Sequence, residues 1–459
     1  MACLIAAPTS GSGKTLVSLC LAAAVRQRGA SLQPFKVGPD YLDPQLLAAV
    51  AGRPCRNLDP ILCGEAWLES CFRWHASQAD RVLVEGVMGL FDGRGSGPEG
   101  SSAAVAALLN LPVVLVVEAS RQAGSVAALV RGFRDHGPPP VRLAGVVLNR
   151  VGSERHRALL AEALAGIDVP LLGVLPNHPC LQLPSRHLGL LPPQELGDLE
   201  QRQPIWADLA SRHLDLERFW TLLAPPEPQP QRCDPVLTLL GSPPPQPALP
   251  MAIASDAAFH FRYPETGELL RGVGLEPVAW SPLADEPLPP GAQAVLLPGG
   301  YPELHAERLG ECRRSLGELA AAAARGLPIV AECGGLLLLG QSLWDAAGTA
   351  RPMAGVLPFQ ARCGELSLGY REARVEIDGM LVRRGEVYAG HEFHRWQIEP
   401  LALEHSAAAK PLWNLSGWGA PSRPEGWGRR RLHASWLHLH WAGCPQLVQR
   451  LAGLLRIAN

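Results

Sequence analysis

Two kinds of apolar segment alternate along this chain. The first is a short apolar run: residues 2–6 (ACLIA), 81–84 (RVLV), 113–117 (VVLVV) and 143–148 (LAGVVL), and later 251–254 (MAIA), 294–297 (AVLL) and 329–331 (IVA), with 35–37 (FKV) as another short strand. Between these runs lie longer Ala/Leu-rich segments with helical spacing, such as residues 16–28. Strands apolar on both faces and separated by helices predict parallel sheets covered on both sides. The alternation breaks at residues 225–250, PPEPQPQRCDPVLTLLGSPPPQPALP. That stretch is too rich in proline for a helix or a central strand and reads as an extended linker. The predicted organisation is an α/β domain over 1–224, a linker over 225–249 and a second α/β domain over 250–446. A later segment, residues 413–427, is rich in Pro, Gly and Trp and reads as a surface loop. The longest apolar runs, such as 111–117 and 336–339, are too short to span a bilayer.

Composition narrows this picture. Of 459 residues, 47% are hydrophobic and 18% charged, which supplies buried cores and excludes a disordered chain. Lys+Arg (41) nearly balances Asp+Glu (43), so no general basic surface for nucleic acid is expected. Only Lys14, Lys36 and Lys410 are lysines, which singles each of them out. Eleven cysteines with no recurring spacing do not make a disulfide scaffold. The start, MACLIAAPTS, lacks the basic end and long apolar run of a signal peptide. The expectation is a cytoplasmic protein that binds neither membrane nor nucleic acid, with a homodimer left open.

Chemistry concentrates at the ends of the apolar runs. Residues 2–6 lead into Pro8-Thr-Ser-Gly-Ser-Gly-Lys-Thr15 and then the helical segment, the layout of a phosphate-binding loop. Backbone N–H groups around Gly11 and Gly13 and the helix start suit phosphate oxygens; Lys14 adds positive charge and Thr15 can ligate Mg²⁺. The usual first glycine is replaced by Pro8. Residues 81–84 end in Glu85, at the strand end where parallel sheets bind ligands, so Glu85 is a candidate Mg²⁺ ligand, direct or indirect. Lys36 leads into Gly38-Pro-Asp40-Tyr41-Leu42-Asp43-Pro, where Asp40 and Asp43 can be ligands or turn formers.

In the second half, residues 329–331 lead into Glu332-Cys333-Gly334-Gly335. A cysteine between strand and helix sits on an exposed turn, where the helix start is expected to lower its pKa. Backbone N–H groups at Gly334 and at a second glycine turn, Leu297-Pro-Gly-Gly300, can form an oxyanion hole. His433, His438 and His440 cluster in LHASWLHLHW and offer a base.

The set APTSGSGKT, FKVGPDYLDP, VEGVMGLFDG and PSRHLGL resembles the cobyrinic acid a,c-diamide synthase family, whose members amidate two carboxylates of the corrin ring. The N-terminal half is similar to dethiobiotin synthetase and the C-terminal half to class I glutamine amidotransferases. The resemblance implies a P-loop NTPase-like domain followed by an amidotransferase domain, with cobyrinic acid, glutamine and ATP as substrates and Mg²⁺ as cofactor. It makes Thr15, Asp40 and Glu85 metal ligands, sets Lys14 on ATP phosphates, and makes Asn149 the adenine-reading residue. It places Asp43 and Asp92 in the corrin and acyl-phosphate region, with Lys36, Tyr41, Leu42, Arg186 and His187 at the substrate. The LHASWLHLHW stretch aligns His438 as the base for Cys333. Related amidotransferases carry a glutamate two residues later; here that position is His440, so a Cys333–His438 dyad is expected. Cobyric acid synthase, another corrin amidase, and a partitioning-type P-loop ATPase switch are the alternatives. The switch leaves Cys333 and His438 unexplained.

Overall fold

The computed structural model describes residues 2–186, 189–227, 233–241, 246–401 and 411–457. It separates into two compact units, Met1–Pro235 and Val236–Asn459. The division falls inside the proline-rich stretch. There Pro235–Leu240 forms a short helix, with Val236 and Leu240 against Gly272. The second unit runs past residue 446 through the helix Gln446–Ile457, which buries Leu447, Val448, Leu451 and Leu455.

The first unit is built on β1 (Cys3–Ala6), β2 (Leu32–Val37), β3 (Arg56–Leu58), β4 (Arg81–Glu85), β5 (Val113–Glu118), β6 (Leu143–Val151) and β7 (Leu171–Pro176). All are parallel, in the order β3-β2-β4-β1-β5-β6-β7. Alternate residues feed two cores: Cys3 and Ile5 pack with Leu19, Leu46 and Val114, while Leu4 and Ala6 pack with Phe35, Val84 and Leu115. Burial on both faces is why these strands read as continuous apolar runs. Chain order reverses beside β1, so the crevice for a ligand opens at its carboxyl end. Helix α1 (Lys14–Gln27) starts there, and α2 (Leu42–Ala51) follows β2. A small antiparallel pair, β8 (Ser185–Arg186) and β9 (Gly189–Leu190), lies farther along the chain.

The second unit contains β10 (Leu249–Ala254), β11 (Leu275–Trp280), β12 (Ala294–Leu297), β13 (Ile329–Glu332), β14 (Ser342–Trp344), β15 (Ala350–Pro352), β16 (Phe359–Val375), β17 (Val387–Pro400), β18 (Pro411–Gly417), β19 (Ala420–Arg429) and β20 (Leu432–Ser435). The path is β11-β10-β12-β13-β20-β19-β18-β16-β14-β15, with β17 on β16. Strands β11 through β20 on this path are parallel, as expected; the rest is largely an antiparallel extension. The segment expected as a surface loop, 413–427, is therefore most of a β-hairpin. Trp413 and Leu415 are buried on one face, and the turn falls at exposed Trp418 and Gly419. Among the described residues no helix is long and apolar enough to cross a membrane.

Two candidate active sites

Strand register assembles the first site. Glu85 is paired with Ile5 on one side and Lys36 on the other, so both polar side chains reach the sheet's carboxyl edge below the glycine loop. The loop needs its glycines. Gly11 and Gly13 have φ of +79° and +106°, and a Cβ on Gly13 would stand 2.3 Å from Asn149 Nδ2. Thr15 Oγ1 donates to Glu85 Oε1 at 2.8 Å and lies 3.4 Å from Asp43 Oδ2. Lys36, 2% exposed, reaches Asp43 at 2.6 Å, Glu85 at 2.7 Å and Asp40 at 3.6 Å. Burial opposes its charge, but Asp43, Glu85 and Asp40 outweigh burial and hold its pKa well above the usual value. Burial pushes Asp43 upward, yet Lys36 holds it below the ordinary range; burial and Asp43 together raise Asp40 to about 7. Lys14 donates to the Met88 carbonyl at 2.5 Å, and burial, helped by Lys36, lowers its pKa to about 8.

The acids divide their work. Asp40 Oδ1 accepts from Leu42 N at 2.8 Å and Asp43 N at 3.2 Å, so it starts α2 by turn chemistry. Asp92 accepts from Gly89 N at 2.7 Å in the turn that presents Met88. Among the described residues, Glu85 Oε2 is buried without a hydrogen-bond partner. That orphaned oxygen beside Thr15 fits Mg²⁺, which takes few protein ligands and completes its shell with phosphates and water. Asn149 is buried, donating to Ser12 O at 3.0 Å and accepting from Arg150 N at 2.9 Å; among the described residues its second amide N–H has no acceptor. Tyr41 and Leu42 are buried at the start of α2. Arg186 lies on β8, and His187 lies outside the described residues.

The second site lies where β13 and β20 end side by side, Glu332 opposite Ser435. Cys333 follows with φ 47° and ψ −117°, a strained turn that commonly marks a functional residue. Its N–H donates to Ser435 O at 2.7 Å. Gly334 and Gly335 are required by crowding: a Cβ on Gly334 would stand 2.8 Å from Gly300 O, and one on Gly335 2.0 Å from Leu297 O. The two glycine turns are thus in contact. A Cβ on Gly299 would meet His438 Cε1 at 2.5 Å, which brings His438 to the same turns.

The electrostatics differ from the expectation of an acidified thiol. The helix after Cys333 is only Gly334–Leu337. Its first N–H does favour the thiolate, but burial and the nearby Glu303 outweigh it and hold the thiol well above its ordinary pKa. Burial, with His391 and His394 adding, lowers His438 to about 3. Both groups are therefore neutral at rest. His440 accepts from Ala442 N at Nδ1 (3.4 Å) and turns Nε2 to Glu265 at 3.7 Å, so both ring nitrogens already have neighbours.

Sequence reasoning missed Glu303, Glu392 and the strand that covers Cys333. The Sγ lies 3.7 Å from Phe393 O, and the backbones of His391 and His438 exchange two hydrogen bonds of 2.9 Å. The run AGHEFHRW, with two histidines and a glutamate in a strand, was the available signal.

Comparison with known proteins accords with both units. Residues 3–191 match the CobQ/CobB/MinD/ParA nucleotide binding domain, and residues 251–445 the CobB/CobQ-like glutamine amidotransferase domain. A cobyrinate a,c-diamide synthase from Synechococcus sp. is 43% identical, covering 98% of this chain and 97% of its own. One from Gloeobacter violaceus is 43% identical over 96% and 94%. A hydrogenobyrinate a,c-diamide synthase from Streptomyces coelicolor is 43% identical over 97% and 96%. The chain belongs to the cobyrinate and hydrogenobyrinate a,c-diamide synthase family.

Proposed function

We propose that the chain amidates the a and c carboxylates of cobyrinic acid in cobalamin biosynthesis, using ATP and ammonia taken from glutamine. The observation that carries this is 43% identity over nearly the whole chain to an a,c-diamide synthase, in a chain holding a phosphate-loop cluster and a strained Cys333 turn that meets the glycine turn beside His438.

In the first unit a corrin carboxylate attacks the γ-phosphate of ATP, releasing ADP and forming an acyl phosphate. The glycine loop and the start of α1 receive phosphate oxygens, and Lys14 offers charge to the transferring group. Asn149 keeps the loop in place through Ser12 while presenting its remaining N–H to the adenine. Thr15, Asp40 and Glu85 would hold Mg²⁺, which supplies charge against the phosphates when bound. Lys36, Tyr41, Leu42, Asp43, Asp92, Arg186 and His187 are assigned to the corrin side.

In the second unit His438 takes the Cys333 proton as sulfur attacks the side-chain carbonyl of glutamine. Backbone N–H groups at Gly300 and Gly334 receive the oxyanion. The proton then passes to the departing ammonia, and water releases glutamate from the thioester. Ammonia attacks the acyl phosphate, and phosphate leaves.

The test is incubation with ATP, Mg²⁺, cobyrinic acid and glutamine labelled with ¹⁵N at its side-chain amide, read by mass spectrometry. Two labelled amides, at a and c, are expected. Amides at other carboxylates would favour the cobyric acid synthase reading. ATP hydrolysis with no glutaminase activity would favour the partitioning switch.

A further inference from the structure

We propose that Arg423, held against Glu392, binds the α-carboxylate of the glutamine whose side chain Cys333 attacks. This rests on the glutaminase reading above.

Glu392 is fully buried between two guanidinium groups. One oxygen accepts from Arg371 Nε at 2.7 Å and Ser367 Oγ at 3.1 Å; the other accepts from Arg423 Nη2 and lies 3.4 Å from His394 Nε2. The two arginines are not equivalent. Arg371 is 8% exposed and also donates to the carbonyls of Tyr370 and Leu368 at 3.1 and 3.3 Å. Arg423 is 39% exposed, and among the described residues Glu392 is its one partner. A guanidinium has five N–H donors in a planar fork suited to a carboxylate, so most of that fork is unused.

Charge points the same way. Two guanidinium groups face one carboxylate. The next acid on β19, Glu425, is taken by Ser435 Oγ at 2.6 Å, Trp413 Nε1 at 2.7 Å and Trp436 N at 3.1 Å. The α-carboxylate of free glutamine would add a second anion to this group.

The position fits the chemistry. Glu392 precedes Phe393, whose carbonyl lies against the Cys333 sulfur, and follows His391, whose backbone is bonded to His438. His394, on the same face of β17 as Glu392, stacks on Trp436 at 4.0 Å. Glutamine with its amide at Cys333 directs its zwitterionic end away from the reacting carbon. Arg423 would select the free amino acid over a glutamine residue inside a peptide. Glu392 is the positioning residue that fixes the fork.

Two measurements test this. The first is kcat/KM for glutaminase on L-glutamine and on L-glutaminamide, which lacks the α-carboxylate. The preference for L-glutamine should fall about 10- to 100-fold in Arg423→Met, through KM, and recover partly in Arg423→Lys. Both substrates meet the same preparation, so the ratio is insensitive to the fraction folded. Ammonia-dependent amidation should be unchanged. An unaltered preference in Arg423→Met overturns the proposal. The second is calorimetric binding of L-glutamine to Cys333→Ser with and without Arg423→Met. A loss of at least about tenfold is expected, and equal affinities overturn the proposal. If the wild type hydrolyses neither substrate, the glutaminase reading fails and the binding measurement alone decides the arginine.

Discussion

Lys36 and Cys333 are almost equally buried, at 2% and 3% exposure, yet the first is kept charged and the second uncharged. Three carboxylates surround Lys36 and stabilise its ammonium. Around Cys333, burial and Glu303 suppress the thiolate while burial suppresses the imidazolium of His438. On the proposed function, the difference follows from what each site would receive. A polyanionic nucleotide and a carboxylate substrate need an edge whose own acids are already balanced. The neutral amide of glutamine needs no counter-charge at entry. There, in the proposed mechanism, charge would separate only when the proton moves from sulfur to imidazole, and fixed N–H donors act more strongly in such a buried site than in water.

The sharpest way to break this comparison is to remove each site's principal group and ask which nitrogen source suffers. Cys333→Ser should reduce glutamine-dependent amidation by about 10³-fold or more and leave ammonia-dependent amidation at alkaline pH largely intact. Failure of ammonia to support a folded variant would show that the two sites are not separable. Lys14→Ala should lower kcat with either nitrogen source by about 10²-fold, because in the proposed mechanism the acyl phosphate precedes the amide. Near-normal ammonia-dependent turnover would remove Lys14 from the ATP site.

Lys36 tests the charged half by stability. Replacing it with methionine leaves Glu85 and Asp43 without their cation, and breaking such a buried pair costs about 3–5 kcal/mol. Urea unfolding at neutral pH should show the loss. A change below about 1 kcal/mol would mean that protonation, already favoured at Asp40, neutralises the cluster instead.

What was legible in the sequence was contiguous. The strand, glycine loop and helix around Lys14, and the strand and turn around Cys333, each lie within one short run, and burial on both faces marks the strands plainly. Asn149 could be singled out, but its hold on Ser12 could not be read, because 137 residues separate the two. Strands β16 to β19 were hidden for another reason. Phe359–Val375 carries polar residues on both faces, and the buried set includes Arg371, so the two-residue alternation that betrays a half-buried strand is blurred. In 413–427 the prolines and glycines favoured a loop, although Pro424 sits in β19 opposite Asn414. The direction of the Cys333 shift was missed because the helix behind it is a single turn, too short to outweigh burial.

The smallest expected effect sharpens the uncharged half. Glu303 follows the Gly300 turn, and burial raises its own pKa to about 7. Near and above that pH it gains negative charge, which disfavours a second negative charge on sulfur. Glu303→Gln removes that repulsion and leaves burial in place, so the thiol pKa should fall without reaching the ordinary range. The measurement is the rate of Cys333 carboxamidomethylation against pH, followed on the isolated peptide by mass spectrometry. In the wild type the rate should climb through the alkaline range, since only thiolate reacts. In the variant the curve should move to lower pH, and at a fixed alkaline pH the variant should react faster. Below about pH 6 the two should converge, because Glu303 is then protonated in the wild type as well. That convergence separates a charge effect from a local loosening, which would speed alkylation at every pH. Superimposable curves would mean that burial alone holds the thiol neutral, and that the glutamate beside it serves the substrate or the fold.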